Sequence, residues 1–247
     1  MTDIAIIKAI DEGANHYLRL FGDAEHMRVT DHGAYTVVEP RAGEQGIAFV
    51  FDIRLERLPD ELAREKIQEI NALPYAVWWP LRPLNSPRIA RLIYGDDAAE
   101  GDERYMAVFA ENFADDASAH VAIRRVDCAE DFGTWALLGN RVFADGRQDV
   151  HPTKHARWAT DGRLAPYIAY VEREPVGVAA ILRNGDAASL EFVAVREEYR
   201  RRGIAKALSA RAVRDAFTGG VRLVTARAFA PAYLVYEALG FRTYLRG

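Results

Sequence analysis

The chain has 247 residues, half of them apolar, with 32 Lys and Arg against 36 Asp and Glu and a net charge of −4. That size and apolar content supply a packed core for one large domain or two small ones. The mixed, slightly acidic charge excludes the extended basic surface expected of a protein that binds nucleic acid or an acidic membrane.

The N-terminus carries Asp3 and Lys8 inside its apolar stretch and has no small-residue cleavage site, so it is not read as a signal peptide. Ile4, Ile7, Ile10, Ala14, Leu18 and Phe21 recur at helical spacing and predict an amphipathic first helix over 3–21. Short strands are expected at 26–30, 34–39 and 47–55, with Gly33 and the run Arg41 to Gly46 as turns. Leu58-Pro59-Asp60 opens a helix with Leu62, Ile67, Ile70 and Leu73 apolar. Tyr75 to Leu81 reads as a buried strand; its Trp78 and Trp79 are core candidates that could also line a pocket. The longest stretch without a charge, Asn71 to Leu81, is far too short to span a bilayer. A short helix around Arg88 to Tyr94 and a strand over Arg104 to Ala110 complete the first half.

Ala114 to Ala119 is small and polar, the expected linker, so the chain is divided into 1–119 and 120–247. A strand follows at 120–126, then a helix at 130–143 and a helix or loop at 147–160. Cys128 is the one cysteine, which excludes an internal disulfide and fits a reducing cytoplasm; as a residue it reads as small, apolar and buried. His151 and His155 lack a nearby Cys or acidic partner and are expected to be surface histidines, so no metal is predicted. Leu164 to Glu172 and Pro175 to Arg183 form an expected hairpin.

The chain is organised around Ser189 to Ala205. A strand ending in Val193-Ala194-Val195 runs through a charged loop into Arg200-Arg201-Arg202-Gly203-Ile204-Ala205-Lys206, where a helical pattern starts at once and ends at Gly219-Gly220. The first turn of a helix has backbone N–H groups without internal partners and the positive end of the dipole. Gly203 lets the backbone approach a bound group closely, so the whole reads as an anion-holding device, although a solvated basic loop gives the same local pattern. It is neither a Walker loop nor G-x-G-x-x-G.

Arg200-x-x-Gly203-x-Ala205 resembles the acetyl-CoA signature of the GNAT family (Gcn5-related N-acetyltransferases), and Ala232 to Phe241 resembles the family's A-x-x-L-Y-x-x-L-G-F. The resemblance covers roughly the last half of the chain. It implies an α/β fold: a GNAT acyl-CoA N-acyltransferase domain at 120–247. The segment Leu73 to Gly95 more loosely resembles the degenerate first lobe of two-lobed members. One departure stands out. The chain stops six residues after Phe241, so the usual last hairpin cannot be completed. Its edge is expected to be missing, covered by the first half, or covered by another subunit in a homodimer.

The resemblance further implies an acetyl-CoA-dependent N-acetyltransferase that acts on a primary amine by direct transfer. The backbone of Arg201 to Ala205 would hold the pyrophosphate with help from Arg200, Arg201, Arg202 and Lys206, and the backbone of Val193 and Val195 beside Ala194 would face the acetyl-pantetheine. Tyr236 matches the family's general acid, with Tyr233 as the fallback. Glu191, the one carboxylate of its strand, shares a face with Val193 and Val195 by alternation. It is a general-base candidate, or a plain salt-bridge partner. Ala205 stands where many members have glycine, and Phe229 where they often have asparagine. That loss keeps a non-catalytic acyl-CoA-binding module open as the alternative. The acceptor is a small-molecule or peptide amine of unstated identity.

Overall fold

The computed structural model describes residues 1–73, 76–78, 87–95, 103–115, 121–143 and 149–246. The chain packs as two compact units, Met1–Gly13 with Glu103–Leu245, and Ala14–Asp102 with Arg246–Gly247. This division differs from the boundary expected at 119/120. Residues 116–119 of the expected linker and His120 after it, with Trp79 and much of the stretch Leu73 to Gly95, lie outside the described residues.

In the smaller unit, β1 (Met27–Asp31), β2 (Thr36–Pro40) and β3 (Ala48–Phe51) pair antiparallel in order. The helix α2 (Asp60–Asn71) then crosses to β4 (Ala76–Trp78), which pairs parallel to β3. Gly33, at φ +76°, makes the first turn, and Asp31 Oδ1 accepts its N–H at 2.7 Å. Ile67, Ala63 and Leu55 pack on Ile89 of α3 (Pro87–Tyr94), while Tyr35, Val37, Val50 and Ile70 form a second apolar cluster. Arg88 closes this unit by donating to the carbonyls of Glu56 at 3.0 Å and Leu58 at 2.8 Å and pairing with Asp60. These elements follow the predicted order closely, since each carries its own periodicity and punctuation. The first helix, α1 (Asp3–Gly22), also forms where its apolar spacing places it.

The larger unit contains a seven-stranded sheet. Its sequence elements are β5 (Arg104–Phe109), β6 (Ala122–Arg125), α4 (Ala129–Phe143), β7 (Leu164–Val171), β8 (Glu174–Asn184), β9 (Ala187–Val195), α5 (Ile204–Thr218), β10 (Leu223–Ala228), α6 (Tyr233–Glu237) and β11 (Arg242–Arg246). Strand order is β11-β5-β10-β9-β8-β7-β6, with β9 and β10 parallel. Glu172 and Arg173 turn the β7–β8 hairpin with φ of +49° and +73°, the two left-handed residues that a tight hairpin of this twist demands.

Strand β5 resolves the departure noted at the C-terminus. It pairs antiparallel with β10 over six rungs, Leu223↔Phe109 to Ala228↔Arg104, and stands between β10 and β11. A strand that precedes the expected linker thus fills the place that a C-terminal hairpin would have taken. Gly240, at φ +88°, makes the junction fit: a Cβ there would stand 2.1 Å from the Asn112 carbonyl oxygen. Ala114 N–H donates to the Leu239 carbonyl at 3.1 Å beside it.

Two further expectations are corrected. Cys128 is exposed rather than buried, because it stands just before α4, where its carbonyl accepts the Phe132 N–H at 3.1 Å. His155 is fully buried rather than on the surface. Its ring lies 4.3 Å from that of Trp158, and its Nδ1 accepts the His151 N–H at 2.9 Å, so it braces a local turn. Among the described residues, no helix is long and apolar enough to cross a membrane.

Candidate active site

The site is built where β9 and β10 part. Their parallel register runs Leu223↔Ala187, Val224↔Ala188 and Thr225↔Ser189 and stops there, although β9 continues to Val195 and β10 to Ala228. Beyond Ser189 the two strands leave a gap with backbone on either side.

On its other edge β9 carries a bulge. Val178 pairs with Ala194, but Ala180 pairs with Glu191, so Ala179 alone opposes Phe192 and Val193. Phe192 takes a left-handed φ of +55°, a conformation that a bulky side chain adopts only when its surroundings impose it. Trp135 of α4 supplies that constraint. Its indole N–H donates to the Ala179 carbonyl at 3.1 Å, and its ring meets Phe192 edge-on at 4.8 Å. Sequence reasoning did not single out Trp135; on the helix it is simply one more apolar residue. Trp135→Phe keeps the ring and leaves a buried carbonyl without its donor. Its urea midpoint is expected to fall by the equivalent of about 1–3 kcal/mol.

The bulge overturns one expectation. Strict alternation puts Glu191 on the face of Val193 and Val195, but Ala188, Leu190, Val193 and Val195 all belong to the core packed on α5. The spacing 188, 190, 193, 195 shows the phase slipping by one residue at Phe192. Glu191, next to Leu190, therefore lies on the opposite face from both valines.

Tyr236, the other acid–base candidate, belongs instead to the α5-packed core with the two valines. Glu191 is partly buried, and its carboxyl is raised to about 7, mainly by burial, with the Ser189 hydroxyl and the Arg227 charge pulling the other way. Tyr236 of α6 is 5% exposed, packed with its ring 5.6 Å from Phe241. Burial raises its phenol well above the usual value, and the Glu191 charge raises it further. The structure thus brings Glu191 and Tyr236 within electrostatic reach of each other across the gap. Tyr233, the fallback, is engaged differently, with the Arg104 guanidinium 3.2 Å from its ring centroid.

The basic loop follows β9. After a single turn at Glu197–Tyr199, Arg200 lies extended and donates from Nε to the Val195 carbonyl at 3.1 Å. Arg201 takes φ +63° and is exposed. Arg202 donates to the Glu198 carbonyl at 3.0 Å and covers the Tyr199 ring at 5.0 Å. Gly203, at φ +76°, caps α5, and no side chain caps the helix start. The N–H groups of Ile204, Ala205 and Lys206 open α5 there. Phe229, just past β10, is 63% exposed.

Residues 129–241 match the model of the Acetyltransferase (GNAT) family. No curated protein sequence matches the chain. Among solved structures, a GCN5-related N-acetyltransferase from Kribbella flavida aligns over 94% of this chain and 91% of its own, with a TM-score of 0.64 and 16% identity. A functionally unknown conserved protein from Staphylococcus epidermidis ATCC 12228 aligns over 90% of each chain, with a TM-score of 0.54 and 14% identity. At such identities these two matches speak for the fold. The family match falls on strands β7 to β10, the α5 loop and the gap just described: residues 129–241 form an N-acetyltransferase domain of the GNAT family.

Proposed function

We propose that the chain transfers an acetyl group from acetyl-CoA directly to a primary amine of a small molecule or peptide, with both reactants held at once. The observation that carries this reading is the gap beyond Ser189 and Thr225: Glu191, whose charge reaches Tyr236, stands on the β9 side of it, and β9 runs on through the basic loop to the uncapped start of α5. A phosphate-bearing co-substrate fits the first of these features: an uncapped helix start with a left-handed glycine offers donors and positive potential without side-chain obstruction.

Acetyl-CoA supplies the acetyl thioester. The amides of Arg201 to Ala205 hold its pyrophosphate, with Arg200, Arg201, Arg202 and Lys206 adding positive charge. The backbone of Val193, Ala194 and Val195 lines the gap where the β10 edge of β9 is unpaired and offers donors to the developing negative charge. Glu191 takes the proton that the amine must lose, and Tyr236 gives one to the departing thiolate. A carboxyl near 7 suits a base working at neutral pH, which favours transfer over acyl-CoA binding without turnover. No metal enters this scheme. The smaller unit, with its antiparallel strands and parallel β3–α2–β4 crossover, is read as a GNAT-like lobe without a cofactor loop. A reducing cytoplasm suits a chain with one exposed thiol.

The test is release of free CoA thiol from acetyl-CoA against a panel of amines spanning amino acids, polyamines, aminoglycosides and peptide N-termini. Thiol release with one class supports the reading and names the acceptor; no release with any class contradicts it. Gly203→Val probes the loop separately. Valine resists a φ of +76°, a strain of roughly 1–2 kcal/mol per residue, and its side chain intrudes on the amides. Acetyl-CoA is expected to bind about tenfold or more weakly, as read by isothermal titration.

A further inference from the structure

Thr225 and Ser189 form the last rung between β10 and β9, and two residues on, Arg227 and Glu191 continue the same face into the gap. Arg227 does not turn wholly to Glu191. It stands opposite Tyr105 of β5, with its guanidinium 5.5 Å from the tyrosine ring centroid. Its Nε donates to Glu103 Oε1 at 2.8 Å, and its Nη2 to Glu103 Oε2 at 3.0 Å. The Tyr105 hydroxyl donates to the same Oε2 at 2.9 Å, and Glu103 is 9% exposed. Two carboxylates therefore border one guanidinium, and Glu103 takes both arms of the fork.

We propose that Glu103 is a positioning residue: it holds the Arg227 guanidinium in a two-pronged pair just ahead of β5, away from Glu191, so that Glu191 can serve as the base. This rests on the reading of Glu191 as base. The reason is competition for one cation. A carboxylate that captures an arginine is stabilised as the anion, its pKa falling by ~1–3 units, and makes a correspondingly weaker base. Parallel charge-assisted bonds favour the carboxylate that accepts both, and the Tyr105 hydroxyl adds a third bond to Glu103 alone. The charged or titratable groups acting on Glu191 among the described residues are Arg227 from β10 and Tyr236 from α6, with the Ser189 hydroxyl on its own strand. Arg227 is the one cation of this set. Glu103 itself lies outside the family-matched segment, next to the strand contributed from the first half of the chain.

The test is direct titration of the Glu191 carboxyl by NMR on the full chain labelled with carbon-13 at glutamate carboxyls, its signal assigned by its loss in Glu191→Gln. Wild type is expected to titrate near 7. Glu103→Gln keeps the shape and removes the competing charge, so the Glu191 midpoint is expected to fall by ~1 unit or more. Glu103→Asp, which keeps the charge, stays near wild type. If Glu103→Gln does not fold, Arg227→Lys serves instead: a single ammonium cannot hold the fork, and the midpoint again falls. A Glu191 midpoint unmoved in the folded variant overturns the proposal. Its failure is distinct from failure of the base reading, which would show as undiminished thiol release by Glu191→Gln.

Discussion

Glu191→Gln is expected to lower turnover by roughly 10²–10⁴-fold while leaving acetyl-CoA affinity near wild type, since the substitution removes a proton acceptor and no part of the α5 loop. The same residue sets the pH profile. Only the ionised carboxylate accepts a proton, so the wild-type rate should fall about tenfold per unit below a midpoint near 7. Stability follows with the opposite sense. Burial raises the folded value from 4.5 to about 7, so the native state binds this proton more tightly than the unfolded chain does. The contribution is fully present below about pH 4.5 and is lost as the pH rises through 7. Above pH 7 a buried carboxylate is therefore a burden. Glu191→Gln should be more stable than wild type there, by something on the order of 2–3 kcal/mol, and urea unfolding at pH 8 checks it. A variant both less active and more stable is the signature of a residue kept for chemistry.

Tyr236→Phe is expected to reduce turnover by roughly 10²–10⁴-fold, again with acetyl-CoA affinity retained. The ring stays against Phe241 in the core, so stability should change little, and what is lost is the phenolic proton. Burial and the Glu191 charge hold that phenol protonated throughout the working range, as a proton donor requires. Steady-state thiol release against enzyme concentration, with acetyl-CoA titrated separately, distinguishes this from a packing defect. Unchanged turnover would move the acid role off Tyr236.

The sequence made most elements legible because their signals are local. The apolar spacing of α1, Gly203 before α5 and Gly219-Gly220 after it are read within a few residues of where they act. Glu191 and Tyr236 were also singled out this way as candidates, the first as a lone carboxylate in an apolar strand and the second from a motif. What escaped is non-local. The bulge at Phe192 depends on Trp135, some 57 positions earlier, holding the Ala179 carbonyl; alternation along β9 alone sends Glu191 to the wrong face. The capture of β5 between β10 and β11 is likewise invisible to periodicity, which reports that Arg104–Phe109 is a strand but never which sheet receives it. Glu103 inherits that blindness, because its partner Arg227 is 124 positions away.

Isothermal titration of the purified chain with acetyl-CoA tests the account most directly. A Kd in the micromolar range, weakened about tenfold or more by Gly203→Val, is the predicted result. No detectable binding to the wild-type chain would contradict it, for then the parted strands and the open start of α5 would not be the co-substrate site.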